Sequence, residues 1–232
     1  AASDVYKRQI LTGLHLTLEE GYINAVATDS HRLSQRQIPL ELSDQQKVFQ
    51  ALTIPKKTMN ELSRIVPDEA QLTLTVSNQQ IIFHFDAITI YSRLLEGNYP
   101  ATDRLIPESS ETDLVVNSLD FLQAIERASL MAHEGKNNIV QLDLQNNQAE
   151  LSVTGNEIGN VAEMIDYESL TGPGLKISFN PDYMKEALRS FGDCSIRLQF
   201  NSPVRPMLLS RLEVSEVPHN ELIQLLTPVR TH

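Results

Sequence analysis

The chain reads IPKKTMNELSRIV at residues 54–66 and FNPDYMKEALRSF at residues 179–191. Pro55 is a favourable residue at the start of a helix, because its fixed φ suits the first turn and no amide hydrogen is needed there. Four apolar residues that follow it fall on one helical face: Met59, Leu62, Ile65 and Val66. Aligning Met59 with Met184 requires a shift of 125 residues (184 − 59 = 125). The alignment predicts one such helix in each half of the chain, the second over residues 181–191.

The strands predicted around these helices follow a similar order in both halves. Most of these segments alternate apolar and polar residues, as half-buried strands do. In the first half they are residues 10–18, 22–28, 32–40, 48–54, 71–76, 80–85 and 88–95. In the second half they are residues 112–117, 139–144, 148–154 and 177–179, with a further helix near 118–131. The repetition indicates an α+β fold built from two copies of one domain.

The first copy is predicted to be truncated. Under the shift of 125 residues, the strand and helix that open the second copy have equivalents that fall mostly before residue 1. The predicted divisions are a foreign or disordered segment at 1–9, a first domain at 10–107, a linker at 108–111 and a second domain at 112–232.

The composition is that of a globular protein without a membrane span. Of the 232 residues 41% are hydrophobic and 21% are charged, and no apolar run approaches the ~20 residues that a span requires. A single cysteine, Cys194, is typical of a reducing cytoplasm and is expected to be a small buried residue rather than a reactive thiol. The net charge of -11 argues against a wholly basic nucleic-acid-binding surface, although a local basic lining is compatible with it.

The sequence favours a non-catalytic protein without a metal or a cofactor. The triplet Asp29-Ser30-His31 has the residue types of a hydrolase triad, but neighbours on an extended chain point to opposite sides and cannot form the relay among themselves. The chain contains no nucleophile elbow, phosphate-binding loop or dinucleotide fingerprint, and its histidines lack metal-ligand spacing.

Four separated motifs carry a family resemblance. They are ILTG at 10–13, ATDSHRL at 27–33, EGNYP at 96–100 and QLLTPVR at 224–230. In this order they resemble the second and third domains of the bacterial DNA polymerase III beta subunit family, the beta sliding clamps, and the ending TPVR resembles Gram-positive members.

The resemblance implies a DNA-clamp fold in which antiparallel sheets lie outside and helices line the inner face of a ring around duplex DNA. It implies a processivity factor of the bacterial cytoplasm that dimerises when intact and binds the replicative polymerase, the clamp loader and other proteins through short peptides with Leu and Phe anchors. How this chain associates, and which partners it binds, does not follow from the sequence.

The resemblance also implies a peptide-binding groove. Its expected apolar floor is Leu11, Leu33, Pro100, Leu105, Leu225 and Val229. Its expected polar rim is Thr28, Ser30, His31, Arg32, Arg104, Thr227, Pro228 and Arg230. Because Pro228 cannot donate a backbone hydrogen bond, the final segment is expected at a sheet edge. Two alternatives remain: the aliphatic residues are ordinary core, or the duplicated architecture is a small-ligand or peptide-binding module.

Two further surfaces are predicted on helices. Lys57 and Arg64 share one helical face, and Lys185 and Arg189 stand four residues apart, so both pairs are candidates to face DNA, although each pair alone is also typical of a solvated helix. Leu130 and Met131 are candidates for a subunit interface. Met131 lies nine residues past Leu122, about 180° around the helix from the predicted core stripe.

Overall fold

The structure, a computed structural model, describes residues 9–40, 49–134, 138–154, 160–213 and 215–230. The chain divides into two compact units. The first contains the described residues of Ala1–Ser30, Gln35–Ala101 and Glu216–Asn220, and the second those of His31–Ser34, Thr102–Ser215 and Glu221–His232. Within the described residues, no helix is both long and apolar enough to cross a membrane.

Between residues 13 and 93, the described part of the first unit combines two antiparallel sheets with a helix. Its strands are β1 (Gly13–Glu19), β2 (Tyr22–Thr28), β3 (Arg32–Pro39), β4 (Ala51–Pro55), β5 (Thr73–Val76), β6 (Gln80–Phe85) and β7 (Ile88–Arg93), and its helix is α1 (Lys56–Ile65). Residues 32–34 of β3 belong to the second unit. The strand orders are β3-β2-β1-β4 and β5-β6-β7. Gly21 adopts a φ of 85° at the turn between β1 and β2, a conformation that costs glycine little.

The core of the first unit lies between the two sheets and α1. Leu16, Ile54, Leu62, Ile81 and Phe83 are buried in one cluster. On β6 the buried residues alternate with more exposed ones, which is the two-residue period of a strand with one covered face.

The second unit repeats the arrangement of sheets and helices seen in the described residues of the first. Its strands are β8 (Thr112–Asn117), β9 (Val140–Asp143), β10 (Glu150–Thr154), β11 (Asn160–Met164), β12 (Ser169–Thr171), β13 (Lys176–Phe179), β14 (Ser195–Phe200), β15 (Met207–Arg211) and β16 (Leu222–Leu226). Its helices are α2 (Ser118–Glu134) and α3 (Pro181–Phe191). The strand orders are β12-β8-β14-β15-β16 and β11-β10-β9-β13.

The two units confirm the predicted duplication. The order β3-β2-β1-β4 corresponds to β11-β10-β9-β13, and α1 and α3 each follow the last strand of that order. In the second unit α2 packs beside α3, and its predicted core residues Leu122, Ile125 and Ser129 are buried. Cys194 is half-buried, packs against this core and lies 3.6 Å from the carbonyl oxygen of Phe191.

The predicted division between the two domains differs from that of the two compact units. The predicted linker, 108–111, lies inside the second unit, because the amide of Glu111 donates to Phe200 and Asn201 donates to the carbonyl of Ser109. The units instead divide between Ala101 and Thr102. Of the predicted N-terminal segment, residues 1–8 lie outside the described residues, as does residue 48, where one strand was predicted to begin.

Candidate functional site

In the second unit, the short segment His31–Ser34 lies against the end of the chain. The amide of Thr227 donates a hydrogen bond to the carbonyl oxygen of His31 at 2.9 Å. The side-chain amide of Gln224 donates to the hydroxyl of Ser34 at 2.9 Å. These bonds join two of the four motifs that the sequence analysis singled out, although almost 200 residues separate them along the chain.

The Arg32 guanidinium is held by two residues of α3. Its Nη1 lies 2.6 Å from the Glu186 carboxylate, and its central carbon lies 4.4 Å from the centre of the Tyr183 ring. The His31 ring stacks on the same tyrosine with centroids 6.3 Å apart. Tyr183 and Glu186 are three residues apart and therefore project from one side of the helix. A cation between a π face and a carboxylate has a defined orientation, because both contacts favour its position.

The residues that follow β16 are fixed by their main chain. Strand β16 ends at Leu226, and the amide of Val229 donates to the carbonyl oxygen of Ser178 at 2.7 Å. Pro228 is buried, whereas Thr227 and Arg230 are exposed. The expectation that this segment is the edge of a sheet is therefore wrong for residues 227–230. The amides of Thr227 and Val229 donate to His31, just before β3, and to Ser178 of β13, rather than to one neighbouring strand.

The predicted apolar floor is not a uniform surface. Leu33 is 2% exposed and Leu225 is 5% exposed, so these two side chains are core residues, as the alternative interpretation expected. Leu105 is 52% exposed, on a single 3-10 turn (Asp103–Leu105) that also carries the exposed Arg104. Val229 is half-buried. Of the predicted floor residues in the second unit, Leu105 and Val229 retain apolar surface that a ligand could contact.

The predicted residues of the first unit lie around the ends of its strands. Leu11 and Thr28 are half-buried, and Ser30 and Pro100 are exposed. Ser30 has a φ of 75°, and its amide donates to the hydroxyl of Thr28 at 3.3 Å. Such a side-chain turn ends β2 and is the turn chemistry expected of a Thr-Asp-Ser sequence.

Beside these residues, Tyr99 packs flat on His15. The two rings are 4.2 Å apart and 2° from parallel, and His15 Nδ1 lies 2.9 Å from the hydroxyl of Thr53. Burial raises the pKa of Tyr99 to about 12, and a hydrogen bond with the backbone of Thr28 acts in the opposite direction. Burial lowers the pKa of His15 below 6.5. Both rings therefore favour their neutral forms at neutral pH.

The contacts of Tyr183, Glu186 and Gln224 were not predicted from the sequence. Tyr183 and Glu186 could have been found, because the pair lies on a predicted helix at a spacing that places an aromatic ring and a carboxylate side by side. Gln224 could not, because its partner is distant in the chain and no periodicity marks it.

The basic residues proposed to face DNA have different environments. Lys57 is exposed, Arg64 lies 3.6 Å from Glu61, and Arg189 lies 2.7 Å from Glu126. Lys185 differs from the prediction of a solvent-facing pair, because its side chain is only 16% exposed. Its ammonium lies 2.8 Å from Asp182 and donates to the buried hydroxyl of Ser129 at 2.7 Å. Lys185 therefore neutralises the Asp182 carboxylate on α3 and links α3 to α2 through the Ser129 hydroxyl.

The two predicted interface residues on α2 also differ. Leu130 is 70% exposed, but Met131 is half-buried and packs against the core. Met131 does not lie opposite the core as expected, because the buried face of α2 is wider than its central stripe and includes Ala124 and Ala128. Met131 follows Ala124 by seven residues, a rotation about 20° short of two full helical turns. This rotation places Met131 on the same side of α2 as Ala124 rather than opposite the core. The role of Met131 in an interface stays a prediction.

The Asp29-Ser30-His31 triplet directly follows the end of β2. The left-handed backbone at Ser30 ends the strand there, and His31 stacks with Tyr183. Across the described ranges, His, Cys, Asp and Glu side chains form no group of three or more that could hold a metal ion.

Family models match both units. Residues 103–224 match the model described as DNA polymerase III beta subunit, C-terminal domain, and residues 1–101 match the one described as DNA polymerase III beta subunit, central domain. The chain belongs to the DNA polymerase III beta subunit family. The family match begins at residue 1, within the nine residues that the sequence analysis set apart as foreign or disordered.

Relatives and solved structures of this family share the fold over nearly the whole chain. The "Beta sliding clamp" of Bacillus subtilis is 39% identical over 235 residues, which cover 100% of this chain and 60% of the relative. The beta subunit structure from Streptococcus pyogenes has 39% identity, a TM-score of 0.87 and covers 97% of this chain and 59% of that one. The Bacillus subtilis sliding clamp structure has 37% identity, a TM-score of 0.88 and covers 99% and 63%. The chain thus spans about 60% of the length of the curated relatives it matches.

Proposed function

We propose that this chain is the central and C-terminal part of a DNA sliding clamp that tethers replication and repair proteins through a peptide-binding surface. The observation that carries the proposal is the joining of His31–Ser34, α3 and the segment after β16 in one unit of a beta subunit family member. A relative with 39% identity is named "Beta sliding clamp". The proposed role requires no catalysis and is exercised in the bacterial cytoplasm.

The proposed ligand is a short peptide with Leu and Phe anchors. Exposed or half-buried residues supply the contacts that remain open to it: Leu11, Thr28, Ser30, His31, Arg32, Pro100, Arg104, Leu105, Thr227, Val229 and Arg230. The other predicted groove residues, Leu33, Leu225 and Pro228, are buried. Two anchors that each contribute roughly 1.5–3 kcal/mol are compatible with a Kd in the micromolar range, about −8 kcal/mol.

The test is the fluorescence anisotropy of a labelled peptide of about six residues that carries Leu and Phe anchors. Leu105→Asp places a charge on an exposed apolar residue of the proposed surface and is expected to weaken binding by at least about tenfold, a loss of about 1.4 kcal/mol. Leu130→Asp is the matched control, because Leu130 is also exposed but lies on α2.

Micromolar binding that Leu105→Asp weakens and Leu130→Asp preserves supports the proposal. Equal binding to both variants and the unchanged chain would place the ligand elsewhere. If the unchanged chain does not bind the peptide, the peptide-tethering role fails and the alternative of a small-ligand module gains support.

Duplex DNA is the second proposed partner, contacted without regard to sequence. Lys57, Arg64 and Arg189 are exposed enough to reach phosphates, whereas the burial of Lys185 argues against its inclusion. Phosphate contacts fix position without reading base edges, as a protein that moves along DNA requires. The helices that carry these residues are proposed to line the inner face of the ring in the complete protein.

The proposed subunit interface lies on α2 and β11. Leu130 is 70% exposed, and Val161 and Met164 on β11 are 40% and 53% exposed. Strand β11 is the last strand of its sheet and pairs with β10 on one side. Apolar side chains beside an edge strand are the features expected of a surface that pairs with another chain. We propose homodimerisation of the complete protein through this surface.

A further inference from the structure

The contact between Arg32 and Glu186 bears on the kind of peptide that the proposed surface accepts. The Glu186 carboxylate lies 2.6 Å from the guanidinium, and both side chains retain solvent exposure, 62% for Glu186 and 32% for Arg32. A ligand that reaches Arg32 therefore also meets a negative charge. The formal charge of this pair is zero, whereas Arg32 without Glu186 would carry one positive charge.

The neighbouring ionic groups of α3 do not compensate for Glu186. Lys185 is engaged with Asp182 and Ser129, and Arg189 is engaged with Glu126 across the contact between α3 and α2. Tyr183 contributes a π face to Arg32 but no charge. Among these residues, Glu186 is the one whose carboxylate is directed at the arginine of the proposed peptide surface.

We propose that Glu186 is a specificity-determining residue of the peptide-binding surface, which neutralises Arg32 so that acidic residues beside the anchors add little affinity. The inference rests on the proposed function and extends it to the charge of the ligand. The preferred peptide carries Leu and Phe anchors with uncharged flanking residues. Electrostatic complementarity controls selectivity in this way because a like charge next to a ligand carboxylate opposes binding.

The experiment compares two labelled peptides with identical Leu and Phe anchors, one flanked by Gln and Asn and the other by Glu and Asp. The measured quantity is the ratio of their Kd values for the unchanged chain and for Glu186→Gln, at low ionic strength, where exposed charges are least screened. Glu186→Gln keeps the size of the side chain and removes its charge. It is expected to shift the ratio about two- to fivefold in favour of the acidic peptide, the effect expected of one exposed ion pair.

Glu126→Gln is the matched control, because Glu126 on α2 forms a similarly short ion pair, at 2.7 Å, with Arg189 of α3. It is expected to leave the ratio unchanged. A purely structural role of Glu186 would weaken both peptides equally and leave the ratio constant, which would overturn the inference. A ratio that shifts equally in both variants would also overturn it, because the effect would then come from net charge alone.

Failure of the proposed function has a different signature. In that case neither peptide binds the unchanged chain. Binding of both peptides with a constant ratio across all variants leaves the peptide-binding role in place and removes only the role of Glu186.

Discussion

His15 is the residue whose environment makes a pH dependence of stability measurable. Its ring lies between Tyr99 and Thr53, and burial lowers its pKa below 6.5. A histidine with a lowered folded-state pKa favours the neutral form, so its contribution to stability is complete above pH 6.5. That contribution is lost as the pH falls from 6.5 through the folded-state pKa, because the unfolded chain takes up the proton more readily.

We therefore expect the unchanged chain to lose more free energy of unfolding than His15→Gln when the pH falls from about 7.5 to about 5.5. Urea unfolding at the two pH values measures the difference. The control is His84→Gln, since His84 also contacts a threonine hydroxyl, at 3.0 Å, but has an exposed ring. Its pH-dependent loss should match that of the unchanged chain. If His15→Gln loses as much free energy as the other two, the buried ring is not the cause.

At the scale of single residues, the sequence indicated which residues to consider but not whether their side chains are buried or which residues they contact. The sequence pointed to the residues at 27–33 but not to their neighbours on α3, because contacts between distant segments leave no local pattern. Leu33 illustrates the limit: its type suits both a ligand surface and a core, and only its 2% exposure decides between them. Lys185 is a similar case, because the buried hydroxyl of Ser129 that it contacts lies on another helix.

At the scale of elements, the equivalent helices α1 and α3 begin differently. Asn180 precedes α3, and its side-chain oxygen accepts a hydrogen bond from the amide of Asp182 at 2.8 Å. Pro55 precedes α1 and makes no side-chain cap. A side-chain cap satisfies one of the amides that the first turn leaves without a helical partner.

Asn180→Ala is expected to lower the free energy of unfolding by ~1 kcal/mol, the usual cost of losing such a cap. Urea unfolding is the measurement. Asn180→Asp retains an acceptor at the same position and should restore most of the loss, because a carboxylate also accepts from the helix N-terminus. A variant with aspartate that is as unstable as the one with alanine would show that the amide is needed for another contact.

The strands were predicted best where one face is covered. The bounds of β2, β6 and β8 agree with the alternating segments 22–28, 80–85 and 112–117. The first strand was predicted three residues too early, because a turn closed by the amide of Thr12 and the carbonyl of Gln9 precedes it. Strands β11, β12 and β15 were not predicted. Most described residues of β11 and β12 are exposed, β12 has only three residues, and the first three residues of β15 are all buried and do not alternate.

At the scale of the molecule, the net charge and the local basic residues have opposite effects on the affinity for DNA. The net charge of -11 disfavours contact with a polyanion, so any affinity for a duplex must come from a few positions. Three phosphate contacts, one each for Lys57, Arg64 and Arg189, predict a loss of about 40-fold in affinity when salt rises from about 50 to about 200 mM.

The anisotropy of a labelled duplex measured over this salt range checks the prediction. Arg64→Gln should reduce the slope of log K against log salt by about 0.9, the share of one phosphate contact. Arg205→Gln changes net charge equally at another exposed position and should leave the slope unchanged. An identical slope for all three proteins would mean that α1 does not contact phosphates.

The fold of the whole chain could be predicted because it is repeated. The apolar spacing of either copy alone is a weak indication of its fold. A helix and several strands that recur at one shift of 125 residues support each other, and the four motifs follow the same order as in the family they resemble. The division between the units could not be placed from the sequence. It falls at Ala101 and Thr102, whereas the segment that resembles a linker is hydrogen-bonded within the second unit.

The attachment of the chain end through its main chain has a consequence for how this region can vary. The amides of Thr227 and Val229 make the recorded bonds, so most side chains at these two positions leave the attachment unchanged. Proline is the exception, because it has no amide hydrogen to donate. Across a saturation library, proline should be depleted at positions 227 and 229. Position 228 already contains proline, and because its side chain is buried, the replacements tolerated there depend on how well they fit the surrounding residues.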